Sequence, residues 1–159
     1  MKKIFIFTLI LLVVCISAFA QNRSSSLNDV KTSRVIFDVN IGDAKLLLTR
    51  LTLIKETLDG LSKYNDYKAV VAFRGKASNF VTKNNEHIKK DDIGIKEKIY
   101  SILNILKNDY NATLEQCTIA LKFAGIEPDE VYDIINVIEN GYISIIGYQN
   151  QGYAFVPMD

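Results

Sequence analysis

Cys117 is the residue of this sequence best suited to covalent chemistry. It lies in the stretch ATLEQCTIALKFAGI, residues 112–126, which reads as a short strand ending near Cys117 and turning directly into a short helix. Gly125 suits the position just past that helix, where a left-handed backbone is needed. This layout puts a thiol at the carboxyl end of a strand and the amino end of a helix. In an open α/β sheet, ligands bind at that edge. A helix amino end also favours a thiolate, because its unpaired N–H groups carry partial positive charge. A free cysteine is equally among the most buried residue types and often only packs. The local sequence supports both roles.

The other groups that could do chemistry are few. The 159 residues contain two cysteines and one histidine, His87, which lies in a polar stretch. One His and one mature Cys, far apart, make a poor zinc site, which takes three or four protein ligands; no metal site is expected. There is no G-x-x-x-x-G-K-[ST] and no G-x-G-x-x-G, so no phosphate-cradling fingerprint and no cofactor are expected. No Ser sits in a G-x-S-x-G elbow. Asp91 and Asp92 are adjacent carboxylates within a charged, solvated loop.

The start of the chain bears on the redox question. Lys2 and Lys3 precede an apolar run over residues 4–16, and Ala18 and Ala20 form an A-x-A arrangement. Residues 1–20 therefore read as a secretory signal peptide, cleaved between Ala20 and Gln21. The run is shorter than the roughly 20 residues that a transmembrane helix needs, and Val14 before Cys15 does not fit a lipoprotein signal. The expected mature protein is exported, periplasmic or secreted, with no stable membrane anchor. Cys15 leaves with the leader, so no internal disulfide can form. A single thiol in an oxidising compartment is buried, joined to a partner, or kept for chemistry.

Charge narrows the partners. The full chain carries 19 Lys and Arg against 18 Asp and Glu, and Lys2 and Lys3 belong to the leader. The mature chain is thus nearly neutral, which gives no reason to expect nucleic acid or an anionic membrane surface. The residues after position 20 suffice for one domain with its own core.

The elements that must position Cys117 follow from hydrophobic periodicity. Residues 21–32 are polar and read as a flexible arm; residues 33–159 form the domain. Residues 34–40 are nearly continuously apolar, as in a strand buried on both faces. Gly42 breaks the strand and Asp43 can cap a helix over residues 44–62. Leu47, Leu51, Ile54, Leu58 and Leu61 share one face of that helix. Leu46, Leu48 and Leu53 fall partly outside the stripe, so the helix has either a wide core face or a second subunit against it.

A second strand spans residues 67–73 and ends in Arg74 and Gly75. A short helix over 76–81, an exposed polar loop over 82–92 and a helix over 95–108 follow. Beyond Gly125, residues 132–138 read as a fourth strand by their β-branched density, with a helix over 129–139 as the rival. A helix over 141–150 and a short strand over 152–156, before Pro157, close the chain. Strands alternating with helices imply an α/β layered domain with a mostly parallel sheet.

Three stretches, in order, resemble the DsrE/DsrF-like family of small sulfur-relay proteins. They are the strand over 67–75 ending in a polar residue and Gly75, the Cys117 turn followed by Gly125-Ile126 and Asp129-Glu130, and the tail YQNQGYAFVP over 148–157. The resemblance spans residues 34–157. Relatives often have His-Gly where this chain has Arg74-Gly75, and Cys-Gly or Cys-Asn where Thr118 follows Cys117. The resemblance implies a three-layer α/β/α sandwich with a parallel sheet of about five strands, assembled as dimers, trimers or hexamers. It also implies that Cys117 can carry sulfur as a persulfide, exchanging it with donor and acceptor proteins. Asn40, Asp43, Arg74, Gly75 and Lys76, at neighbouring strand ends, are then candidate ligand-binding residues. Arg74 and Lys76 would supply positive charge beside the thiol. The alternative is a non-catalytic oligomer that binds a small ligand or partner, with Cys117 buried and structural.

Overall fold

A computed structural model describes residues 25–27 and 29–159. The leader and its cleavage point, like most of the polar arm, fall outside these residues.

Strand β1 (Thr32–Val39) leads into helix α1 (Ala44–Leu61), then β2 (Asp66–Phe73). A 3-10 turn (Gly75–Phe80) follows, and after the 82–92 segment comes α2 (Ile93–Asn108). Then come β3 (Thr113–Cys117) and α3 (Thr118–Ala124), a 3-10 turn (Pro128–Glu130), β4 (Asn136–Ile138), α4 (Gly141–Asn150) and β5 (Ala154–Met158). The sheet is wholly parallel, in the order β4-β3-β2-β1-β5.

That order fixes the layers. The first three crossovers step in one direction along the sheet, and the right-handed crossover rule puts their helices on one face. There Val35, Phe37, Val39, Val71, Phe73 and Leu114 pack against α1, α2 and Leu121 of α3 in the main core. Leu47, Leu51, Ile54 and Leu58 of α1 are fully buried, each contributing roughly 1.5–3 kcal/mol by leaving water. The last crossover returns across the whole sheet, so α4 lies on the opposite face. There Ile36, Val70, Ala72 and Ile145 form a second, smaller core. The result is a three-layer α/β/α sandwich, with the short helix α4 as the third layer among the described residues.

Three elements differ from the sequence reading. The fourth strand is limited to Asn136–Ile138, because residues 131–135 serve other contacts. Val131 bridges to Thr82, the N–H of Tyr132 donates to the Val81 carbonyl, and Ile135 turns into the main core. The final strand runs through Pro157 to Met158 instead of stopping before the proline. β5 pairs only with β1, and an edge strand tolerates the missing N–H. The 82–92 segment is not simply an exposed loop: Thr82 is fully buried, and the ammonium of Lys96 holds the segment from beneath.

The apolar surplus expected on α1 is modest, with Leu46 and Leu53 near 40% exposed. Far greater exposure falls on Phe123 of α3 at 91% and on the outer side of α4, where Ile143 is 66% and Ile146 57% exposed.

Candidate functional site

Cys117 is the last residue of β3 and the N-cap of α3, and Gly125 closes that helix with φ +67°. Its thiol faces the α4 side of the sheet, where the backbone N–H of Gly141 donates to Sγ at 3.2 Å. Gly141 opens α4, whose N-cap Asn140 accepts from the N–H of Tyr142. The sulfur therefore lies at the amino ends of two helices at once. A Cβ on Gly141 would stand 3.1 Å from Cys117 Cβ and 3.4 Å from Sγ. Close approach, not backbone conformation, is what requires glycine here.

Arg74 follows β2 beside this site. Its guanidinium forks onto Asp38, with Nε at 2.6 Å from Oδ1 and Nη2 at 2.5 Å from Oδ2. Asp38 is 2% exposed, and an acid so placed is kept by such a bidentate partner. The carboxylate in turn holds the Arg74 guanidinium above its ordinary pKa. The Tyr142 ring lies 5.2 Å from the guanidinium carbon. With its amide turned so that oxygen and nitrogen both meet complementary groups, Asn40 brackets the arginine, accepting from Nη1 and donating to the Arg74 carbonyl, each at 3.2 Å. Gly75, at φ +55°, presses so closely on this amide that a Cβ would fall 1.7 Å from it. Lys76 lays its stem over Gly42, where a Cβ would meet Lys76 Cβ at 2.7 Å. No carboxylate pairs with the Lys76 ammonium among the described residues.

These groups surround a pocket of about 560 Å³ at the carboxyl edge of the sheet. Asn40, Arg74, Gly75, Lys76 and Cys117 all line it. Asp43 does not; its carboxylate caps α1, accepting from the N–H of Leu46 at 2.8 Å. Ile119, Ala120 and Phe123 of α3 form an apolar wall, while Asn79, His87 and Tyr142 complete the lining. Sequence reasoning missed these last groups. Tyr142 and His87 lie far from Cys117 in the chain, and only the crossover that brings α4 back and the packing of the 82–87 segment place them here. No cluster of three metal-binding side chains occurs among the described residues, and none of their helices is long and apolar enough to cross a membrane.

Two buried polar groups support the site from outside it. Glu115, two residues before the cysteine, is 6% exposed. It accepts from Ser144 Oγ at 2.5 Å and from the Tyr148 hydroxyl at 2.8 Å, which ties α4 to β3. Burial and this carboxylate both push the Tyr148 hydroxyl pKa up. Gln116, on the opposite face, donates to Ser78 Oγ at 2.8 Å and to the Cys117 carbonyl at 3.0 Å, binding the strand end to the Gly75–Phe80 turn.

The fold agrees with what known proteins show. An uncharacterized protein of Aquifex aeolicus is 29% identical over 158 residues, covering 99% of this chain. The chain spans 64% of that relative's length. The solved structure of a protein of unknown function from Methanobacterium thermoautotrophicum superposes with a TM-score of 0.59 at 14% identity, covering 79% of this chain and 98% of that one; at that identity the likeness concerns the fold. The family model of the DsrE/DsrF-like proteins matches residues 35–157, and with the five-stranded parallel sheet that carries Cys117 at its carboxyl edge, this chain belongs to the DsrE/DsrF-like family.

Proposed function

We propose that the protein carries sulfur as a persulfide on Cys117, taking it from a donor persulfide and giving it to an acceptor thiol. The observation that carries this reading is the placement of Sγ. Cys117 lines the pocket, and its sulfur takes an N–H from the amino end of α4, which puts partial positive charge beside a sulfur that must bear negative charge to react. Lys76 adds formal positive charge to the same pocket, while the charge of Arg74 is matched by Asp38. The thiolate attacks the outer sulfur of the donor, the donor S–S bond breaks, and the donor leaves as a thiol. Family membership makes sulfur relay the natural setting. Mass analysis of the Cys117 peptide, from protein isolated from its own host, tests the proposal. An extra sulfur on the thiol is expected; an unmodified thiol in every preparation argues against it.

A second reading has its own observation. Cys117 is only 4% exposed and packs tightly on Gly141. A non-catalytic protein that binds a small ligand in the same pocket needs no more from this cysteine than shape. Export after cleavage at Ala20 belongs to both readings and rests on the Lys-led apolar run. Amino-terminal sequencing of host material should begin at Gln21; a start at Met1 contradicts export by this route. Both readings also include a homo-oligomer, now centred on Ile143, Ile146 and Phe123, where apolar exposure is greatest.

A further inference from the structure

We propose that His87 is the proton-handling residue of the Cys117 pocket, held in one tautomer by Glu130. His87 is the single histidine of the chain. Its side chain is only 15% exposed and lines the same pocket as Cys117. Its Nε2 lies 3.1 Å from Glu130 Oε1. The carboxylate is itself fixed, accepting from the N–H of Glu127 at 2.7 Å and from the Asn84 amide. These donors, together with His87, lower the Glu130 pKa to about 2, so the group facing Nε2 is an anion. An anion there demands a proton on Nε2. The neutral ring then keeps Nδ1 as its acceptor, and Nδ1 has no protein partner among the described residues.

The segment carrying His87 is built to stay in place. The N–H of Lys83 donates to the Glu130 carbonyl at 2.6 Å, and Thr82 bridges to Val131. Beneath them Lys96, a residue 2% exposed, donates from its ammonium to Thr82 Oγ1 at 2.9 Å and to the Asn84 carbonyl. A buried ammonium without a carboxylate partner is costly. Its acceptors among the described residues, Thr82, Asn84 and Asn85, all lie within five residues before His87.

This role rests on the sulfur-carrier reading. In the step, the Cys117 thiol gives its proton to His87 Nδ1, directly or through one water. The thiolate forms a bond to the outer sulfur of the donor R–S–SH. The donor S–S bond breaks, its electron pair stays on the inner sulfur, and R–S⁻ takes the proton back from His87. The products are Cys117–S–SH and R–SH, with no outside oxidant or reductant.

Two measurements test the proposal. Nitrogen-15 shifts of the single imidazole report its tautomer without any sulfur chemistry. The Nε2–H form is expected in the wild type, with its dominance lost in Glu130→Gln; a dominant Nδ1–H form in the wild type overturns the proposal. Sulfur transfer from glutathione persulfide to Cys117 is then timed by intact mass. His87→Ala should slow it about a hundredfold, and added imidazole should restore part of the rate, which a purely structural loss would not allow. Where His87→Ala does not fold, His87→Gln replaces it and must show the same slowing. Transfer at the wild-type rate in a folded His87 variant overturns the role of His87 and leaves the carrier reading standing. A wild type that takes up no sulfur overturns both.

Discussion

The N–H of Gly141 reaches the sulfur of Cys117 at 3.2 Å across 24 residues of chain. The contact exists because the last crossover brings α4 back beneath the carboxyl end of β3, and because residue 141 has no side chain. Gly141→Ala inserts a methyl at 3.1 Å from Cys117 Cβ. Overpacking of this kind costs about 1–3 kcal/mol, against at most about 1 kcal/mol gained from alanine's helix propensity. A net loss of about 1 kcal/mol in urea unfolding is expected, with slower alkylation of Cys117 in the folded protein. Unchanged alkylation would show that this contact does not govern the sulfur.

Arg74 and Asp38 should behave as a unit. Asp38 has a side chain only 3% exposed, so removing its partner strands a buried carboxylate. Arg74→Ala should cost about 3–5 kcal/mol. Arg74→Lys keeps the charge but loses the planar fork and should lie between that variant and the wild type. Equal losses for the two variants would mean that charge alone matters here.

Two groups near His87 make the stability rise with pH, one at each end of the scale. Glu130 has its pKa lowered from 4.5 to about 2 by the Glu127 N–H, His87 and Asn84. Its contribution is present above pH 4.5 and fades as pH falls toward 2. Lys96 gives a slope of the same sign for a different reason: burial disfavours its charged form and lowers its pKa from 10.5 to about 8. The unfolded chain then binds more protons between pH 8 and 10.5, so stability should rise with pH across that window. Unfolding free energies measured through both windows check this. Glu130→Gln should flatten the acid limb, and Lys96→Met should remove the alkaline rise; an alkaline rise that persists in Lys96→Met assigns it to another group.

The outer side of α4 should be a subunit contact. Tyr142, Ile143 and Ile146 are each more than half exposed on α4, the one helix on its face of the sheet among the described residues. A helix apolar on both sides is ordinarily covered on both. The wild type is expected to sediment as an oligomer at micromolar concentration, and Ile143→Glu with Ile146→Glu should give a folded monomer. A monomeric wild type contradicts the assembly.

Much of this architecture is legible in the sequence because periodicity and local turn chemistry act over short spans. The continuous run from Val35 to Val39, the Leu47-Leu51-Ile54-Leu58 stripe and the Cys117–Gly125 turn each lie within one element or one tight connection. Residues 132–135 mislead, because β-branched side chains fit a core-facing connection as well as a strand. Asp38 and Glu115 give a weaker clue as acids inside otherwise apolar strands, and their partners Arg74, Ser144 and Tyr148 lie 29 to 36 residues away. His87 hides in a stretch whose composition is that of a solvated loop. It is buried by Glu130, 43 residues further on, and by a segment held from α2, relationships that no local pattern carries.

The most direct test exposes the folded protein to a persulfide donor and reads the mass on Cys117, beside a Cys117→Ser control and an unfolded sample. The account predicts one added sulfur on Cys117 in the folded wild type, released by an acceptor thiol, and none on the serine variant, whose fold is intact. A folded wild type that takes up no sulfur, with Cys117 reacting only after unfolding, contradicts it and leaves a binding protein whose cysteine is part of the core.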